Sequence, residues 1–189
     1  DSADQLGLLL DYWAFGRSGD APMTDYLELA SRVPVDADPV VIGDTVASLA
    51  TLAGYAKGRP SEDAVRTYVR GRLQPYFARV GWDARNGESS NVVQLRAGLI
   101  GALAGVGDEA VIAEARRRAA AADTDPNAAP AGIRDAVLAV AASNVTAAEY
   151  DALVQRARAT TDFVEQRRLW DQVAKAQDET LARRTLQMV

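Results

Sequence analysis

The stretch Asn91 to Arg118, NVVQLRAGLIGALAGVGDEAVIAEARRR, constrains this chain more than any other. Val92, Leu95, Arg96, Leu99, Ile100, Leu103 and Val106 recur at the three-and-four spacing that places one apolar stripe on a helix. Gly107 stops that helix. Asp108 is placed to cap the next one, its carboxylate accepting from the free amides of the first turn, and Val111, Ile112 and Ala115 supply the second apolar face. So short a gap predicts an antiparallel helical hairpin. The same unit of helix, Gly or Pro break, acidic or hydroxyl cap and helix can be followed along the whole chain.

In the first half, Asp4 is expected to cap a helix with Leu6, Leu9, Leu10 and Trp13 on one face, ended by Gly19 near Pro22. Thr24 starts the next, with Tyr26, Leu27, Ala30 and Val33. Asp38 caps a third, with Pro39 at the first helical position, where its missing amide costs nothing, and Val46, Leu49, Ala50 and Ala53 inside. After Gly58, Arg59 and Pro60, Ser61 opens a fourth helix carrying Val65, Tyr68, Val69, Leu73, Tyr76, Phe77 and Val80; Pro75 inside it predicts a kink or break. Gly81 to Ser90 is a long polar loop, with Trp82 as a packing anchor.

In the second half, the sixth helix is expected to end near Asp123, and Asp125, Pro126 and Pro130 punctuate a loop. A seventh helix holds Ile133, Val137, Val140 and Ala141. Thr146 with Glu149 forms a capping box for an eighth, which buries Tyr150, Leu153, Val154 and Ala157, and Asp162 with Glu165 resembles a second box. Phe163, Gln166, Arg167, Trp170, Val173 and Ala174 form the ninth face, and Asp178 caps a tenth helix carrying Leu181, Met188 and Val189. Ten helices paired as five hairpins predict an all-α fold, an α-α superhelix of stacked antiparallel hairpins of the HEAT or armadillo kind, as a single helical-repeat domain over residues 1–189. The tenth helix runs to TLQMV with no Gly, Asn or Pro stop and no following hairpin to cover it. The domain is therefore expected to be cut at its C-terminal end, and to self-associate through that helix or meet something beyond it.

Composition narrows the chemistry. With 189 residues, 48% of them hydrophobic, the chain can build one continuous core. Its 21 Lys and Arg are scattered among 26 acids for a net charge of −5, which argues against nucleic acid as a partner. No apolar run is expected to approach the roughly 20 residues that cross a bilayer, so no membrane partner is expected. There is no histidine and no cysteine. That removes disulfides and every Ser-His or Cys-His nucleophile pair, and it leaves zinc only carboxylates, which it rarely accepts as a full set. No catalytic residue, metal ligand or cofactor is expected in this chain.

Several segments, in order over nearly the whole chain, carry a family resemblance: DQLGLLLDYWAFGRSGDAPMTDYLEL, DADPVVIGDTVASLATL, LQPYFARVGWDARNGESSNVVQLRAGLIGALAGVGDEAVIAEARRR, GIRDAVLAVAA and EQRRLWDQVAKAQDETLARRTL. The Gly81, Trp82, Asp83 loop, the Leu95-Arg96 pair and the Gly107-Asp108 hairpin are the most specific. Together they resemble the C-terminal helical domain of the zinc aminopeptidases related to aminopeptidase N and puromycin-sensitive aminopeptidase. The resemblance implies a fragment of such an enzyme, lacking the catalytic domain with its His-Glu-x-x-His and Gly-x-Met-Glu-Asn motifs, neither of which occurs here. It further implies a domain that arches over the catalytic domain of the same polypeptide, closes a peptide-admitting chamber, and continues for several more hairpins. Zinc would belong to the missing catalytic domain. Family members occur in the cytoplasm, at membranes and outside cells, which leaves the compartment open, with the cytoplasm favoured.

In that family, cavity-facing basic residues can hold the carboxylate end of a peptide substrate, a task that suits the bidentate fork of arginine. Arg134 and Arg167, close to the apolar stripes of their helices, are the substrate-binding candidates, with Arg168, Arg183 and Arg184 as further basic positions. Against this stands a structural role, covering the core or pairing with acids such as Asp135, Glu165 and Asp171. For Arg96 a buried ion pair or helix-end hydrogen bond is expected, and for Arg116, Arg117 and Arg118 complementation of a helix dipole. Asn86 to Asn91 has no phosphate-cradling pattern. Two rival functions remain: a free-standing helical-repeat module that binds a protein partner, and a hydrolase working with carboxylates alone.

Overall fold

A helix begins where some group can satisfy its first free amides, and side chains close by in sequence do this at most of the helix starts. The computed structural model describes residues 1–122 and 124–188, apart from the side chain of Pro126. Among these stand ten α-helices and no strand: α1 Ser2–Ser18, α2 Met23–Ser31, α3 Pro39–Ala56, α4 Glu62–Val80, α5 Ser90–Gly105, α6 Glu109–Ala121, α7 Ala131–Ser143, α8 Ala147–Ala159, α9 Phe163–Val173 and α10 Glu179–Leu186, with a 3₁₀ turn at Pro126–Ala128. The described residues are all-α, as expected. Asp123 and Val189, assigned above to the ends of the sixth and tenth helices, lie outside the described residues.

Asp38 accepts from the Val40 amide at 2.8 Å with Pro39 in the first turn, Thr146 and Glu149 form the capping box of α8, and Asp178 accepts from Leu181 at 3.0 Å. Between α5 and α6 the chain makes a Schellman stop, the Asp108 amide donating to Leu103 and the Gly107 amide to Ala104. Asp108 then caps the next turn, its Oδ1 accepting from Val111 at 3.1 Å.

Three local expectations are corrected, and a fourth in part. α1 is capped by Asp1, with Asp4 as the reciprocal third residue of a capping box. α2 starts after Pro22 with no side-chain cap, rather than at Thr24. Ser61 makes no cap bond; the Glu62 carboxylate instead accepts from the Gly58 amide at 2.7 Å. α4 runs through Pro75 without the break that is one of the two outcomes expected there. Proline withholds a single amide there, and the crowded carbonyl belongs to Gly71, which has no side chain to resist its tilting.

The described residues fall into two compact units, Asp1–Val111 and Ile112 onward. In the first, α3 packs against α1, α4 and α5, and α1 also packs against α2. Its 18 residues have a mean hydropathy of 1.2, long and apolar enough by composition to cross a membrane. Val41, Ile42, Val46 and Leu49 of α3 are instead buried in a core that includes Leu9, Tyr26, Leu73, Leu99 and Leu103. In the second unit, α9 packs against α7 and α8, with Tyr150, Val154, Val173, Ala176 and Leu181 in one apolar cluster. The expected ninth face holds at Val173, which is buried, at Trp170, which packs against the same cluster, and at Gln166, which donates to the Ala157 carbonyl at 3.1 Å. It fails at Phe163, 75% exposed, and at Arg167, also exposed, while Leu169 takes a buried place on the helix instead.

Candidate functional site

Two places in the first unit concentrate polar groups in the interior. At the end of α4, Arg96 of α5 is only 1% exposed. Its Nε donates to the Gly81 carbonyl at 3.0 Å, and Nη2 donates to Val80 at 3.1 Å and to both Glu88 oxygens at 2.8 and 2.7 Å. It is therefore both the ion pair and the helix-end bond expected of it. The hydrogen bond from Arg96 holds the Glu88 carboxyl below its usual range. Trp82 stands edge-on to Phe77, ring centroids 5.3 Å apart, as an anchor for the same loop.

The second place is α4 itself. Arg66, Arg70 and Gln74 recur every four residues and so share a face. Arg66 and Arg70 donate to the Val106 carbonyl at 3.4 and 2.6 Å, and Gln74 donates to Asp108 Oδ2 at 2.9 Å. Tyr68, Arg72 and Tyr76 form a parallel row whose donors reach the carbonyls of Leu27, Ser31 and Val33 at 3.5, 2.7 and 2.8 Å. Below this row Tyr26 is completely buried, and burial pushes its phenol up to about 12. Beside the loop, Asp36, Asp38, Tyr76, Arg79, Arg85 and Glu88 border a cleft of about 480 Å³.

In the second unit a cleft of about 310 Å³ opens between α6, α7, α8 and α9, with alanines and leucines along its floor and Arg116, Glu149, Arg156 and Arg168 among its polar lining. Arg116 donates to both Glu149 oxygens at 2.8 and 2.7 Å. Glu149 also accepts from the Thr146 amide, and that bond first, then Arg116, holds its carboxyl low. Glu165 is held low chiefly by Arg168, which donates to it at 2.8 and 2.9 Å, with Arg156 3.7 Å away. These acids are kept ionised, so they are unsuited to donating a proton at neutral pH. The cleft can admit apolar groups between charged walls, but it presents no nucleophile with an adjacent base.

Of the predicted substrate-binding pair, Arg134 lies half-buried on α7 and Arg167 lies exposed on α9. Neither borders this cleft. Among the described residues neither pairs with Asp135, Glu165 or Asp171; the paired arginines are Arg168 with Glu165, Arg183 with Glu179 and Arg184 with Asp151. Arg184 also stacks over the Tyr150 ring, 4.9 Å from its centroid. Arg116, Arg117 and Arg118, read as dipole partners, bind Glu149 and Glu114. The cleft role of Arg116 and Arg156 was not legible, because Glu149 lies 33 residues from Arg116 and no local pattern joins them. Among the described residues no group of three or more His, Cys, Asp or Glu could hold a metal ion, so the zinc of the aminopeptidases finds no fitting ligand set here.

A family model described as the ERAP1-like C-terminal domain matches residues 1–189. The chain belongs to that family. Aminopeptidase M1-A of Oryza sativa subsp. japonica is 28% identical over 192 residues, an alignment that covers 98% of this chain and 22% of the relative. Aminopeptidase M1 of Arabidopsis thaliana is 25% identical over 195 residues, covering 100% of this chain and 22% of the relative. The chain thus spans about a fifth of the length of these relatives, and the resemblance carried by the Gly81 to Asp108 segments is to the family that the comparison finds.

Proposed function

We propose that this chain is the chamber-closing helical domain of a zinc-dependent aminopeptidase, inert by itself and acting with a catalytic domain of the same polypeptide. The observation that carries the proposal is a family match over all 189 residues in a chain that spans 22% of the length of proteins named aminopeptidases. The lack of histidine and cysteine fits the same division of labour, with zinc and the reacting groups elsewhere. In this proposal the helical domain accommodates the part of a peptide remote from its amino end. Arg134 and Arg167, which no described acid neutralises, meet the anionic end of that peptide.

The test compares the 189-residue chain with the full coding sequence from the same gene. The full protein is expected to release amino acids from peptides and from aminoacyl anilides, and to lose this activity to a chelator, while the short chain does neither. In the full protein, Arg134→Ala with Arg167→Ala is expected to raise KM for peptides severalfold and to leave anilide hydrolysis unchanged. A coding sequence that starts immediately before Asp1 would overturn the proposal and favour a free-standing interaction module. Equal KM values for the double variant and the parent would remove the two arginines from it.

A further inference from the structure

The loop between α4 and α5 carries a chemistry that neither the fold nor the family assignment uses. Asn86 is followed by Gly87, and no other Asn or Asp in the sequence precedes a glycine. The loop turns at this pair: the Glu88 amide donates to the Arg85 carbonyl at 3.2 Å, and Gly87 holds φ 80°, the left-handed corner of a turn. Both residues are exposed. Among the described residues no hydrogen bond engages the Gly87 amide or the Asn86 carboxamide. The other asparagines differ. Asn91 lies in the first turn of α5, Asn127 in the 3₁₀ turn, and the Asn144 carboxamide donates to the Val140 carbonyl at 2.8 Å; each is followed by a residue with a side chain that crowds its amide.

We propose that Asn86-Gly87 is a site of spontaneous deamidation, and that the isoaspartate it produces releases Glu88 from Arg96. The Gly87 amide nitrogen attacks Asn86 Cγ, the Cγ–Nδ2 bond breaks, and the proton shed by the amide leaves on ammonia. This closes a five-membered succinimide. Water then opens one of its two C–N bonds. Cleavage at Cγ gives aspartate, whereas cleavage at the main-chain carbonyl carbon gives isoaspartate, in which the chain runs through Cγ and the former carbonyl becomes a free carboxylate. No co-reactant other than water is consumed. Glycine at the second position leaves the attacking nitrogen unhindered and free to rotate, and attack accelerates as pH rises because the deprotonated amide is the nucleophile.

Position gives the change its consequence. Isoaspartate adds one backbone carbon inside the Arg85-to-Glu88 turn, two residues before the carboxylate that neutralises Arg96 at 2.7 and 2.8 Å. It also places a second negative charge beside Glu88. Because Arg96 is 1% exposed, a guanidinium that loses this partner stays buried with its charge uncompensated.

The 189-residue chain is incubated at pH 8 and 37 °C beside a synthetic peptide of residues 83–90 that serves as a clock. Peptide mapping with enzymatic isoaspartate methylation is then expected to find amide loss confined to Asn86, with isoaspartate in excess of aspartate. The isoaspartate fraction is expected to melt lower by roughly 5 °C or more. An Asn86→Gln chain incubated in parallel should show neither change. Asn86 still amidated when the peptide has converted, or loss spread equally over Asn91, Asn127 and Asn144, would overturn the site. A converted chain that melts with the Asn86→Gln control would overturn the coupling to Arg96.

Discussion

Arg96 brings a full charge to a position that water scarcely reaches, and it is held there by two main-chain carbonyls and one carboxylate. A buried charge is tolerated when each donor has a partner; removing the donor leaves the carbonyls of Val80 and Gly81 unpaired. Arg96→Ala is therefore expected to lower the stability of the first unit by about 3 kcal/mol, read as a lower urea midpoint. Arg96→Lys should recover only part of this, since an ammonium lacks the fork that reaches all three acceptors. Glu114 illustrates the acid side. The hydrogen bond from Arg117, followed by that from Arg118, lowers its carboxyl from 4.5 to about 2. A depressed carboxylate stabilises the fold above its unfolded value and loses that contribution as pH falls through its folded value. Glu114→Gln should thus flatten the acid unfolding curve between 4.5 and about 2 and leave its shape near neutrality unchanged. An identical acid limb in the two chains would rule out this pair as a source of pH dependence.

At the scale of elements, α4 organises the first unit. Its Arg66, Arg70 and Gln74 row grips the turn between α5 and α6, and its Tyr68, Arg72 and Tyr76 row grips the end of α2. A helix with donors on two faces can satisfy carbonyls that helix ends leave open on both sides. Gly107 is where this grip demands glycine, because its φ is 71° and an added Cβ would lie 2.2 Å from Arg66 Nη2. Gly107→Ala is expected to destabilise the chain by about 1–2 kcal/mol through the left-handed backbone alone, before Arg66 is displaced. Hydrogen exchange should show faster opening at the first amides of α6; unchanged protection at Val111 would contradict this. The helix starts at Asp38, Asp108, Thr146 and Asp178 were legible because a cap needs only residues within one turn of it. The start of α2 was not, because Pro22, which has no side-chain donor or acceptor, provides no local signal to outweigh Thr24.

At the scale of the whole molecule, a chain of net charge −5 places large apolar side chains in contact with solvent, among them Phe163 at 75%, Val164 at 77% and Leu186 at 76% exposure. Apolar groups left in water favour association. The 189-residue chain is expected to elute with an apparent mass that rises with concentration, and Phe163→Ser with Val164→Ser should reduce that rise; a constant monomer mass for the parent chain would refute it. The all-helical class, the positions of most helix starts and the stripes led by Leu99, Val137 and Val173 follow from the sequence by itself. They depend on side chains three or four residues apart and on caps one turn away, so each is decided within a few residues of its own position. Tertiary structure decided what lies between distant segments: that α9 buries Leu169 and leaves Phe163 and Arg167 outside, that Arg70 meets Val106 across 36 residues, and that Arg116 and Glu149 stand together on one cleft. Such partners are chosen by how whole helices pack, because only packing brings a donor on one helix within about 3 Å of an acceptor on another.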